Sequence, residues 1–159
     1  MGSGFRILAV CAGAAFLGAT GYGGKGFVDA LRAGDALQER AAALIAQGRG
    51  AADLGADGAL SRRAQLLRVQ DPDFDGHGGV DFTTPGAGAT TLTQSLAKRL
   101  AFAHFKPGLR KIRQTGYALG LDLALEKDDI LALWLDSVEV GRGPQGWMAG
   151  FFAASEALY

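Results

Sequence analysis

Eighteen consecutive residues, Ile7 to Gly24, carry no charged side chain, and this run constrains the fold more than any other stretch of the chain. As a helix rising about 1.5 Å per residue it would reach roughly 27 Å, close to the thickness of a bilayer's hydrocarbon core. The expectation is a transmembrane signal-anchor over residues 6–24, following a short tail at 1–5. Arg6 favours a cytoplasmic N-terminus. Its rival is a cleaved signal peptide, since small residues surround Gly18 and Ala19. A lipoprotein site at Leu8-Ala9-Val10-Cys11 fits poorly, because Val10 is bulky where a small residue is usual. A Gly/Ala-rich helix of a soluble core is the plainest alternative, although such helices seldom go so long without charge. An anchor and a signal alike put the remainder of the chain outside the cytoplasm, the anchor as a single-pass membrane protein.

The remaining length suits one domain with its own core. Sixteen Lys and Arg balance sixteen Asp and Glu, so bulk charge gives no reason to expect nucleic acid as a partner, and any anion must be held by a local cluster. The single cysteine, Cys11, sits in the apolar run and offers neither a disulfide framework nor a thiolate-and-His metal site. Most of the 25 glycines fall in the first 60 residues and between Gly76 and Gly88, where loops are expected.

Leu37, Ala41, Leu44 and Ile45 recur at helical spacing, which predicts an amphipathic helix over 27–47; the Gly- and Asp-rich stretch 48–60 reads as a mobile linker. Residues 25–60 are thus a helix plus flexible linker, and 61–159 the main domain. A helix is expected from Thr90 or Thr91 through Leu92, Leu96, Leu100 and Ala103 to a stop at Pro107, followed by helices over 109–125 and 128–138. No period-two strand and no repeat stand out, so the fold class is mainly α.

Asp71, Asp73, Asp75 and His77 crowd around Phe74, as an acid/base or metal cluster would, although composition alone favours a solvated acidic loop. Gly88-Ala89-Thr90-Thr91-Leu92-Thr93-Gln94 gives a glycine-rich entry to a hydroxyl-lined helix start, able to offer N–H and O–H donors to an anion or sugar; an ordinary capped helix would look the same. Arg110, Lys111 and Gln114 share a helix face that suits a pyrophosphate, or equally a solvated basic helix end.

The order of these segments carries more than any one of them. Gln70-Asp71-Pro72-Asp73-Phe74-Asp75-Gly76-His77-Gly78-Gly79 resembles the Glu-Asp-x-x-Phe-x-x-His-x-Gly motif of the peptidoglycan glycosyltransferases of family 51. Gly88 to Lys98 is similar to that family's Gly-x-Ser-Thr-Ile-Thr-Gln-Gln with its Leu-Ala-Lys continuation. Arg110 to Gln114 is similar to Arg-Lys-x-x-Glu, and Lys127 to Asp136 to Lys-x-x-Ile-Leu-x-x-Tyr-Leu-Asn, with Trp134 and Asp136 exchanged.

The resemblance implies a lysozyme-like helical domain that polymerises lipid II, or another polyprenyl-linked glycan, at the outer face of the cytoplasmic membrane. It implies substrate contacts from His77, Thr91, Gln94, Lys98, Arg110, Lys111 and Lys127. No cofactor is called for, and no protein-bound metal, beyond the divalent ion the family can carry at its pyrophosphate. Yet Gln70 and Gln114 stand where the family has its two catalytic glutamates. An amide binds like a carboxylate without accepting a proton at neutral pH, and losing a general base typically slows a reaction by roughly 10² to 10⁴. Asp71, next to Gln70, is the residue best placed in sequence to substitute. Only six residues separate Asp81 from Gly88, where the family has a longer insert, and a chain ending at Tyr159 is expected to lack part of the lipid-contacting lobe.

Three readings stay open: a pseudoenzyme that binds a lipid-linked glycan or an envelope partner, a divergent enzyme using Asp71, and a structural subunit of a larger envelope complex. Engineered inactivation would explain the two glutamines but not Thr90, Asp136 or the short insert.

Overall fold

The central element is a helix buried on every side. In the computed structural model, which describes residues 3–57, 60–84, 90–143 and 146–158 (side chains of 3–10, 57 and 60 apart), α5 spans Lys127–Ser137. Ile130 to Leu135 are all buried within it, the pattern of a helix with neighbours all round. Those neighbours are α1 (Ser3–Ala46), α3 (Leu92–Ala101), α4 (Arg110–Ala124) and α6 (Phe151–Leu158). A shorter helix, α2 (Arg62–Gln70), leads into the acidic loop. The core runs continuously from Ala30 and Ala41 of α1 through Leu67, Phe74 and Leu96 to Leu121 and Leu135.

The fold is mainly helical, and α4 and α5 lie close to their expected bounds. Four segments differ. The helix expected over 27–47 has no separate start: α1 continues without a break from Ser3 to Ala46. Gly23 and Gly26 do not interrupt it because they are contact surface. A side chain on Gly26 would run into the Arg113 carbonyl, one on Gly116 into the Gly23 carbonyl, and one on Gly120 would stand 2.6 Å from the Phe27 carbonyl. Helix backbones approach this closely only where Cβ atoms are missing, so the glycines dock α1 alongside α4.

Residues 48–60, expected as a mobile linker, instead form a 3₁₀ turn at Ala51–Leu54 with Ala51 and Leu54 buried, then β1 (Ala56–Asp57) paired antiparallel with β2 (Leu60–Ser61). A second hairpin, β3 (Glu139–Gly143) with β4 (Gly146–Ala149), was not expected. Finally, α3 ends at Ala101 on an extended Phe102, well before Pro107, and Ala103 lies outside it.

Side chains of α1 are described from Cys11 onward; Cys11 to Gly18 are exposed, and contact with α4 begins near Tyr22 and Gly23. Among the described residues no helix is long and apolar enough to cross a membrane. The expected anchor over 6–24 is therefore not found in them. Five of the eighteen uncharged residues are glycine, and the same helix runs straight on into Lys25, Asp29 and Arg32. The side chains of Arg6 to Val10, including most of the lipoprotein pattern, lie outside the described residues, as do Gly88 and Ala89 of the second motif.

Candidate functional site

The four motif segments meet in one hydrogen-bonded cradle. Where α2 ends at Gln70, the chain turns at Asp71 (φ −162°, ψ 81°) and the Asp71 carboxylate swings inward to 3% exposure. It accepts from His77 Nε2–H, 3.1 Å from each oxygen, and from the Leu92 N–H at 2.8 Å. Leu92 is the first residue of α3, so a negative group here satisfies an otherwise orphan donor and sits well against the helix dipole. The other ring nitrogen, His77 Nδ1, accepts from the Gly79 N–H at 3.0 Å, which fixes the proton on Nε2. Gly79 has φ +87°, and a Cβ there would lie 2.6 Å from the Ala118 carbonyl, so the loop admits only glycine at this point.

The Gly79 carbonyl accepts from Thr91 Oγ1 at 2.7 Å, and Thr91 also caps α3. Its Oγ1 accepts the Gln94 N–H at 3.0 Å, while Gln94 Oε1 accepts the Thr91 N–H at 3.3 Å and Gln94 Nε2 donates to Thr115 Oγ1 at 3.2 Å. Beneath the loop, Lys127 Nζ donates to the His77 carbonyl and to Asp122, each at 2.6 Å, and lies 5.0 Å from the Phe74 ring centre. Phe74 is fully buried.

His77, Thr91, Gln94 and Lys127 are thus brought together, as the sequence anticipates, but each is engaged by the protein itself. Gln70 is exposed at the C-terminal end of α2, beside an apolar cavity of about 330 Å³ walled by Leu54, Val69, Leu135 and Phe151. Gln114 is 1% exposed between α3 and α4, and its Nε2 donates to the Gln94 carbonyl at 2.7 Å. Gln114 Oε1 has no partner among the described residues. Asp75 forms a two-point pair with Arg63 at 2.8 and 3.1 Å, which holds its carboxyl below the usual aspartate range. Asp73 stays exposed.

Of the other cations, Lys98 and Arg110 face outward and Lys111 is half-buried. Lys98 is exposed, 5.8 Å from the Phe105 ring, at a cavity of about 430 Å³ that also holds Arg40, paired with Asp136 at 2.6 Å. Arg110 is exposed and donates to the His104 carbonyl. Lys111 Nζ donates to Thr90 Oγ1 at 3.1 Å, and partial burial pushes its pKa down. Among the described residues no three His, Cys, Asp or Glu side chains are grouped to hold a metal ion.

Sequence reasoning missed three contributors. Asp122 holds Lys127, Ser95 accepts from Trp134 Nε1 at 3.3 Å, and the glycines of α1 and α4 set the helix on which Gln114 lies. Glycine at four-residue spacing, as in Gly116 and Gly120, was the available signal for the last of these.

A family model described as Transglycosylase matches residues 59–159. The chain is 30% identical to penicillin-binding protein 1F of Bacillus subtilis (strain 168) over 100 residues, 55% of this chain and 14% of that protein. It is 32% identical to the biosynthetic peptidoglycan transglycosylase of Vibrio parahaemolyticus over 101 residues, 55% of this chain and 45% of that one. The counterpart from Marinomonas sp. is 34% identical over 93 residues, 51% of this chain and 41% of its own length. The chain thus spans under half the length of each of these relatives. No solved structure matches it.

Proposed function

The chain belongs to the transglycosylase family, and from that premise we propose that it binds a lipid-linked glycan at a bacterial envelope membrane without polymerising it. The observation that carries this reading is the Gln114 hydrogen bond. Its amide N–H points at the Gln94 carbonyl from a site closed to water, a bond an ionised glutamate cannot make. A carboxylate there would be desolvated and would face another acceptor. Position 114 is therefore fitted to an amide rather than merely deprived of a base.

Gln70 has no proton-accepting group of useful basicity. Asp71, the neighbour best placed in sequence to replace it, is buried and bonded to His77 and the start of α3, which argues against the divergent-enzyme reading. Lys98 and Arg110 are exposed and Lys111 is half-buried, and in this reading they meet a pyrophosphate through charge-assisted hydrogen bonds. Membrane attachment belongs to the same proposal: the projecting half of α1 exposes Phe16 and Leu17 at 72% each, an unfavourable surface for water.

The test is labelled lipid II in detergent. Saturable binding with no glycan chain growth is the expected result. Polymer made by the chain itself would sink the proposal, and absence of any binding would favour a structural subunit.

A further inference from the structure

We propose that the β3–β4 hairpin is a second ligand site, a platform on which Trp147 and Arg142 hold a sugar ring and its carboxylate from a lipid-free glycan strand. The inference needs neither a lipid nor a pyrophosphate, so it stands apart from the lipid-linked ligand proposed above. Tryptophan is highly buried on average, yet Trp147 is 69% exposed. The chain's other tryptophan, Trp134, is buried in α5.

The exposure follows from the register of the ribbon. Arg142 pairs directly with Trp147 across the strands, and its guanidinium carbon lies 5.7 Å from the indole centre, within cation–π range. Cross-strand partners share a face, so a flat aromatic and a planar donor are offered together. Three of the pair's four chain neighbours, Gly141, Gly143 and Gly146, carry no side chain that could wall the indole in. The base of the ribbon is fixed: the Gly150 N–H donates to the Val138 carbonyl at 2.8 Å, and Glu139 pairs with Ala149. Glu139 and Ala149 also line the cavity of about 430 Å³ that holds Lys98. Trp147 is two residues along β4 from Ala149, so its side chain leaves the same face about 7 Å further out.

An open, flat apolar surface beside one cation suits a ring better than a peptide side chain, which needs a groove to bury it. A pyranose can lay its C–H face on the indole and turn its hydroxyls to water, while a carboxylate on the ring or its substituent meets the guanidinium. In a chain of the transglycosylase family, the ring-bearing polymer to expect is a glycan.

The test is tryptophan emission of the full chain titrated with N-acetylglucosamine tetramer, which is neutral, and with muramidase-solubilised peptidoglycan, which is acidic. Since Trp134 is buried, a change at an exposed ring reports on the hairpin. The expected result is saturation by both, with the acidic fragments about fivefold tighter and that advantage removed by salt. Trp147→Ala removes the reporter, so its binding is read by calorimetry; it should weaken both ligands about tenfold. Arg142→Gln should cost the acidic fragments about fivefold and leave the tetramer unchanged. Both side chains are exposed, and unchanged circular dichroism confirms that each variant folds. Unaltered emission with Trp147→Ala silent would overturn the proposal. Isolated stem peptide bound as tightly as whole fragments would overturn it in favour of a peptide surface. Arg142→Gln weakening the tetramer as much as the fragments would overturn the pairing of its guanidinium with a carboxylate. Lipid II binding in detergent is measured separately: its absence sinks the earlier reading and leaves the hairpin site standing, and failure of the hairpin leaves that reading standing.

Discussion

The cradle around Asp71 and the face around Leu109 are built from neighbouring stretches of one chain, yet they treat their polar groups in opposite ways. In the cradle, Asp71, His77, Thr91, Gln94, Gln114 and Lys127 bond to one another or to backbone and are largely withdrawn from water. On the outer face, Lys106 and Arg110 stand in solvent beside the exposed Leu109. The contrast separates residues that make the fold from residues available to something else. Family motifs mix the two, because a site is kept by its scaffold as much as by its ligands.

The comparison breaks first if the cradle proves soft. Asp71→Ala leaves the His77 Nε2–H and the Leu92 N–H without partners in a buried place, and should cost about 3 to 4 kcal/mol in denaturant unfolding. A change under about 1 kcal/mol would mean that Asp71 faces water and is free for chemistry.

Gly116→Val forces α4 off the Gly23 carbonyl and should cost about 2 to 3 kcal/mol, read as a lowered melting temperature. If it is silent, α1 does not sit on α4 as described.

Gln114→Glu sharpens the distinction through pH. A buried glutamate facing the Gln94 carbonyl has its folded pKa raised, so the variant is nearly as stable as the parent below about pH 4, where the protonated acid can donate. Its deficit, about 2 kcal/mol, should develop as pH rises through that raised value. A deficit independent of pH would show that packing rather than the hydrogen bond matters. Polymerase activity gained by this change together with Gln70→Glu would turn position 114 from a fitted amide into a lost acid.

The smallest effect belongs to Asp75. Arg63 lowers its pKa, so the pair stabilises above the ordinary carboxylate range and fades as pH falls through the depressed value. With Asp75 58% exposed, Asp75→Asn should cost no more than about 0.5 kcal/mol at neutral pH.

The sequence made α3, α4 and α5 legible because their apolar residues recur at helical spacing and Thr91 announces a cap. It misread Gly23 and Gly26 because a glycine that breaks a helix and one that lets two helices touch are the same letter. Only the partner pattern, Gly116 and Gly120, tells them apart. The short helices α2 and α6 and the glycine-interrupted hairpin at 139–149 have too few buried positions to set a period. At the site, spacing grouped residues that the fold also brings together, without showing which way they face. Lys127 and His77, counted among substrate ligands, are turned toward Asp122 and Asp71.

One consequence follows from α1 being unbroken across its contact with α4. At about 1.5 Å per residue its 44 residues extend some 66 Å. The segment that projects and the segment that packs are one stiff rod, with no swivel between them. Whatever holds the free end therefore sets the tilt and height of the whole domain, and the cradle travels an arc instead of wandering through a sphere.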